Sequence, residues 1–178
     1  MKRSFAVALV RLSWGAAGFN FPYESSQLTD AHISSFSAVA FGDIKKAPGS
    51  PTQPACKVYP GTSQWPAEED WAQLNKTLEG ALLRPAPPAS VCYPGPSYAS
   101  KQCSFLLTGA RESRFYINDP LTVLTQWPQG DTCLLSAKPT GNCTQGGFPV
   151  YVVNVTTVRQ IQAAVNFARN KHVRLVIK

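Results

Sequence analysis

The residues of this chain best suited to covalent chemistry are its five cysteines, Cys56, Cys92, Cys103, Cys133 and Cys143, and none of them stands in a C-x-x-C pair. Without that spacing, zinc binding and thioredoxin-like exchange are both poorly served. Disulfides fit better: Cys92 with Cys103, and Cys133 with Cys143, would each close a short loop in Pro- and Gly-rich sequence with little apolar material to hold it. That pairing leaves Cys56 alone. The two histidines, His32 and His172, lie far apart without carboxylate or cysteine at ligand spacing, so no metal site is expected, and His172 reads as a helix-terminal residue. Glu68, Glu69 and Asp70 are consecutive, so on a helix they point in different directions; they complement the dipole at its start and do not form a glycosidase pair. Gly61, Gly95, Gly109, Gly141, Gly146 and Gly147 never make the G-x-G-x-x-G fingerprint of a classical dinucleotide fold. No catalytic, cofactor-binding or metal-ligating residue is assigned.

Three N-x-S/T sequons, at Asn75, Asn142 and Asn154, point with the cysteines to an extracellular, secreted glycoprotein. Asn75 is expected to be the best acceptor, because Asn142 abuts a half-cystine and Asn154 falls in a strand. Met1-Lys2-Arg3 followed by apolar residues up to Val10 has the parts of a signal peptide, but Arg11 cuts the run, so residues 1–20 read as a degenerate one. No apolar stretch is long enough to span a membrane, and no membrane partner is expected.

The net charge is +7. By region, residues 1–55 hold five bases and three acids, 56–150 seven of each, and 151–178 five bases and no acid. Those last five, Arg159, Arg169, Lys171, Arg174 and Lys178, lack interleaved aromatics and read as a solvated helix face, not a nucleic-acid surface.

Several elements must carry these residues. At 178 residues, with 44% hydrophobic and 15% charged, the chain is globular in composition, yet 15 prolines and 12 glycines imply many turns. Residues 21–55, rich in Ser, Ala, Pro and Thr, read as a flexible leader. Residues 56–144 read as loop-rich with one helix, from about Trp65 to Leu78, whose Trp71, Leu74 and Leu78 form an apolar stripe ended by Gly80. Tyr93, Tyr98, Phe105, Tyr116 and Trp127 in this region are expected to form a satellite core. In residues 145–178, the run from Val150 to Val155 reads as a buried strand. Thr157 and Gln160 form a capping box, opening a helix with Val158, Ile161, Val165 and Ala168 on one face and an end near Asn170 to His172. Val173 to Ile177 reads as a second strand, joined to the first by a right-handed parallel crossover. Two parallel strands do not make a stable sheet, so further strands are expected beyond Lys178.

Cys56-Lys-Val-Tyr-Pro-Gly, Trp65-Pro, Trp71-Ala-Gln-Leu-Asn75, the spaced cysteines, Phe148-Pro-Val-Tyr-Val-Val-Asn-Val-Thr, Ile161-Gln-Ala-Ala-Val-Asn-Phe-Ala-Arg169 and Val173-Arg-Leu-Val-Ile-Lys178 occur here in that order. From Cys56 to Lys178 the chain thereby resembles the FAD-linked oxidases of the berberine-bridge and vanillyl-alcohol-oxidase (p-cresol methylhydroxylase) superfamily, particularly their secreted fungal members. The resemblance implies an α+β chain: an irregular, disulfide-tied helix and loop region, then the first β-α-β unit of a PCMH-type FAD-binding domain, incomplete. It implies FAD as cofactor, with substrate giving a hydride to the flavin, a base taking a proton, and oxygen reoxidising the flavin. The flavin-attachment loop and the catalytic base of the family match nothing in this chain. The expected function is the N-terminal part of an oxidoreductase acting on alcohols, sugars or secondary metabolites, contributing to flavin binding and inactive alone. The alternatives are a disulfide-tied, glycosylated binding module without catalysis, or a truncated reading frame.

Overall fold

The computed structural model describes residues 21–42, 56–110, 112, 114, 117, 119–121 and 130–178. The expected signal peptide over 1–20, and Tyr116 and Trp127, lie outside the described residues. In chain order the elements are α1 (Asp30–Ser35), α2 (Glu68–Thr77), β1 (Leu82–Leu83), α3 (Ser100–Gly109), β2 (Val152–Val153) and α4 (Val158–Asn170), with 3-10 turns at Pro22–Ser25, Ser37–Val39 and Pro88–Cys92.

Three acids in the first turn of α2 meet the positive end of the helix dipole. Trp71, Leu74 and Leu78 are buried, as their three- and four-residue spacing requires. Glu79 and Gly80, both at positive φ (57° and 86°), then end the helix and turn the chain into β1. The turn is held from within α2: the Asn75 carbonyl accepts from Gly80 N–H (2.9 Å), and Asn75 Oδ1 accepts from Leu82 N–H (3.1 Å).

The Thr157 capping box opens α4, with Thr157 Oγ1 accepting from Gln160 N–H (3.3 Å) and Gln160 Oε1 accepting from Thr157 N–H (3.3 Å). The buried Gln160 side chain also accepts from Thr156 N–H (2.7 Å) and donates to the Leu78 carbonyl (3.0 Å) just past the end of α2. One amide therefore starts one helix and satisfies the end of another. Gln160→Ala is expected to lower unfolding free energy by about 2 kcal/mol, since it removes half of the capping box and a buried hydrogen bond to the Leu78 carbonyl, which keeps its bond from Ala81 N–H (3.2 Å). Urea melts followed by circular dichroism check this.

Three expectations are corrected. The segment 21–55 was expected to be a flexible leader, yet its described part, 21–42, is a folded strap: Leu28 is buried, Val39 is 0% exposed, and Phe36 packs on Phe167 at 6.0 Å between ring centroids. Its apolar residues follow no helical or alternating period because its partner is α4, far along the sequence.

The apolar face expected on α4 is also displaced. Ile161 and Val165 are 46% and 39% exposed, while Gln160, Ala163, Asn166, Phe167 and Ala168 are buried. Two neighbours share the helix: Phe167 meets Trp71 of α2 and Phe36 of the strap, and the strap also takes the amide side.

Lastly, the two strands flanking α4 do not pair with each other. β2 pairs antiparallel with β1, Leu82 opposite Val153 and Leu83 opposite Val152, and the segment after α4 makes a single parallel bridge between Val173 and Val58. Direct pairing of these two segments is therefore not seen among the described residues. The Asn75 turn delivers β1 to one edge of β2.

The packing divides into two clusters. The first joins α2, α4 and the strap through Leu28, Val39, Trp71, Leu74, Leu78 and Phe167. The second gathers Tyr93, Leu121 and Phe148 around cysteines, in the region expected to be mostly loop. α3 was not anticipated there; it buries Cys103 and Leu106, three residues apart.

Candidate functional site

The structure bonds Cys92 to Cys103 and Cys133 to Cys143, with Cα separations of 4.9 and 4.3 Å, and leaves Cys56 free and exposed. Both bridges lie in the second cluster, where Tyr93 Oη donates to the Leu134 carbonyl (2.9 Å) across the Cys133 loop. Of the aromatics expected to form a satellite core, Tyr93 is buried there, whereas Tyr98 and Phe105 face solvent. α3 turns its Cys103 and Leu106 side inward, which sends Phe105 outward.

An aromatic seam lies where α2, β1 and β2 meet. The Tyr151 ring stacks on Trp71 (4.0 Å between centroids, 19° between planes), and Trp65 packs on the same indole at 5.3 Å. The Arg84 guanidinium lies 5.4 Å from the Tyr151 ring centroid. Glu68 joins the group, accepting from Tyr151 Oη (3.3 Å) and from Arg84 (3.4 Å). Burial raises the Tyr151 phenol above its ordinary pKa, with Arg84 acting against the shift and Glu68 adding to it. The Glu68–Arg84 pair is largely solvent-exposed, so it orients the rim and adds little stability.

Several bases at the chain's end are committed contacts and not a solvated face. Arg159 pairs with Glu79 (2.6 Å), Lys171 with Asp70 (2.8 Å), and Arg169 Nη2 donates to the Ala40 carbonyl (2.7 Å). His172 follows the last turn of α4 at φ 60°, in the left-handed region. His32 bonds the neighbouring Thr29, Nδ1 lying 2.7 Å from Oγ1. Among the described residues no group of His, Cys, Asp and Glu could hold a metal ion.

A stripe of amides carries contacts that the sequence reading missed. Gln162, Asn166 and Asn170 recur at four-residue spacing along one side of α4. Gln162 Oε1 accepts from Leu28 N–H (2.8 Å), Asn166 Nδ2 donates to the Val39 carbonyl (3.0 Å), and Asn170 Nδ2 donates to the carbonyls of Ala38 and Ala40 (both 2.9 Å). Side chains of α4 thus satisfy the backbone of the strap, in place of a sheet ladder. The i, i+4 repeat of amides was the available signal.

A flavin dinucleotide needs backbone or basic donors converging on its pyrophosphate and a walled site for its ring. Gly61, Gly95, Gly141 and Gly146 adopt positive φ in separate turns, and Arg159, Arg169 and Lys171 are already engaged. No helix is long and apolar enough to cross a membrane among the described residues.

No family model matches the chain. It is 42% identical over 128 residues to the VAO-type flavoprotein oxidase VAO615 of Thermothelomyces thermophilus, an overlap covering 70% of this chain and 22% of the relative. It is 32% identical over 135 residues to the FAD-linked oxidoreductase orf1 of Neocamarosporium betae, covering 73% of this chain and 23% of that protein. With the FAD-linked oxidoreductase easE of Trichophyton verrucosum it shares 38% identity over 134 residues, 70% of this chain and 22% of that one. The crystal structure of the VAO-type flavoprotein MtVAO615 from Myceliophthora thermophila C1 superposes with a TM-score of 0.64 at 41% identity, over 70% of this chain and 23% of that one. The chain thus spans about a fifth of the length of the relatives it matches.

Proposed function

We propose that this chain, a homologue of the fungal VAO-type flavoprotein oxidases and FAD-linked oxidoreductases, supplies the N-terminal scaffold of a secreted FAD-dependent oxidoreductase acting on alcohols, sugars or secondary metabolites. In this reading residues 145–178 open a PCMH-type FAD-binding domain and residues 56–144 form a disulfide-tied flank. The observation that carries the proposal is the combined match in sequence and fold to a VAO-type flavoprotein, 41% identity at a TM-score of 0.64.

Surface chemistry supports it. Val155, Ile161 and Val165 lie exposed, as do Leu175, Val176 and Ile177, the last 80% exposed. Such apolar surface beside a strand-like segment suits cover by further strands of a sheet. What this chain contributes is packing: the joint of α2, α4 and the strap presents the segment that begins at Val173. It contributes no catalytic group and no flavin anchor, and by itself it is inactive.

A graft tests this. The homologous fifth of VAO615 is replaced by this chain, and the chimera is passed through gel filtration after expression. Retained stoichiometric flavin absorbance is expected from the chimera, and none from this chain incubated alone with FAD. A folded chimera free of flavin would sink the proposal, as would stoichiometric flavin on the isolated chain.

A further inference from the structure

We propose that Asn142 and Asn154 carry N-linked glycans, and that Asn75, the third sequon, is a structural amide that stays unmodified. This rests on the secretory reading above. A glycan is bulky and hydrated, so its asparagine must lead to solvent without giving up packing or a needed hydrogen bond. Asn142 does so: it is exposed, follows Gly141 in a turn with φ 76°, and is trailed by an exposed Thr144. Asn154 does so as well. Its backbone N–H donates to the Ala81 carbonyl (2.9 Å) at the end of β2, while Asn154 and Thr156 are both exposed.

Asn75 is built differently. Its Oδ1 accepts from Leu82 N–H (3.1 Å), the bond that delivers β1 to β2. The threonine of its sequon is buried, Thr77 Oγ1 donating to the Gln73 carbonyl (2.9 Å), whereas Thr156, whose Oγ1 donates to Gln160 Oε1 (3.1 Å), stays exposed. A sugar on Asn75 Nδ2 would have to leave from a half-buried side chain whose Oδ1 is held by Leu82 N–H, whereas Asn142 and Asn154 are exposed. Geometry therefore reverses the order of acceptors that the sequence suggests.

The test is site mapping of the full chain, secreted from yeast behind an added secretion leader so that entry to the secretory pathway does not depend on residues 1–20. Peptide N-glycosidase treatment in heavy-oxygen water marks each formerly glycosylated asparagine. Label at Asn142 and Asn154 and none at Asn75 is expected; label at Asn75, or an unlabelled Asn142 or Asn154, overturns the proposal. Two variants probe the structural role of Asn75. Asn75→Asp removes the sequon but keeps the acceptor, and should melt like the parent chain, whereas Asn75→Ala should melt about 3 °C lower. Equal melting of the two overturns that role. Flavin retention plays no part in these readouts, so their failure would leave the flavin reading standing.

Discussion

Phe167→Ala is expected to lower the unfolding free energy by about 3–5 kcal/mol, the range for truncating a fully buried aromatic. Phe167 is 2% exposed and sits where three elements meet: its ring lies 5.0 Å from Trp71 on α2 and 6.0 Å from Phe36 on the strap. Removing it opens a cavity between partners that cannot close in together, because the strap is pinned to α4 by backbone bonds to Asn166 and Asn170. The strap should loosen first, since its other apolar anchors, Leu28 and Val39, face the same cluster. Urea unfolding followed by tryptophan fluorescence measures the loss, and amide exchange at Val39 reports the strap. A loss under about 1 kcal/mol would mean that Phe167 does not hold this joint.

Opening the two disulfides is expected to unfold one cluster and spare the other. The bridges close loops spanning 11 and 10 residues, for which loop-closure entropy gives about 3 kcal/mol each. All four half-cystines pack in the second cluster and none in the first. Under reductant, amide exchange should become fast in α3 and around Tyr93 while α2 and α4 stay protected. The double variant Cys133→Ser, Cys143→Ser should show the same pattern confined to the loop from Cys133 to Cys143 and its Tyr93 contact. Uniform loss of protection across both clusters would show that they unfold as one unit.

Much of this was written locally. The spacing of Trp71, Leu74 and Leu78 set the buried side of α2, and Thr157 with Gln160 set the start of α4, because a helix stripe and a cap act within about four residues of themselves. The cysteines fell into pairs for a related reason: each bridge spans a loop short enough to be suggested by spacing in the chain. The motif order from Cys56 to Lys178 was enough to suggest the FAD-linked relatives, which match the chain over about 70% of its length.

Only the tertiary structure decided which elements meet. The strap looks featureless because its backbone is satisfied by side chains of α4, Asn166 reaching Val39 and Gln162 reaching Leu28, across more than a hundred residues of sequence. Likewise, Val152 and Val153 are apolar enough for more than one pairing; the Asn75 turn brings β1 to them, while Val173 bridges Val58. The sequence alone determined the starts and stripes of α2 and α4, the cysteine pairs and the family likeness. The partners of the strap, of β2 and of Ile161 and Val165 were left to tertiary structure, because a residue's own neighbours specify its conformation but not which distant surface competes for it.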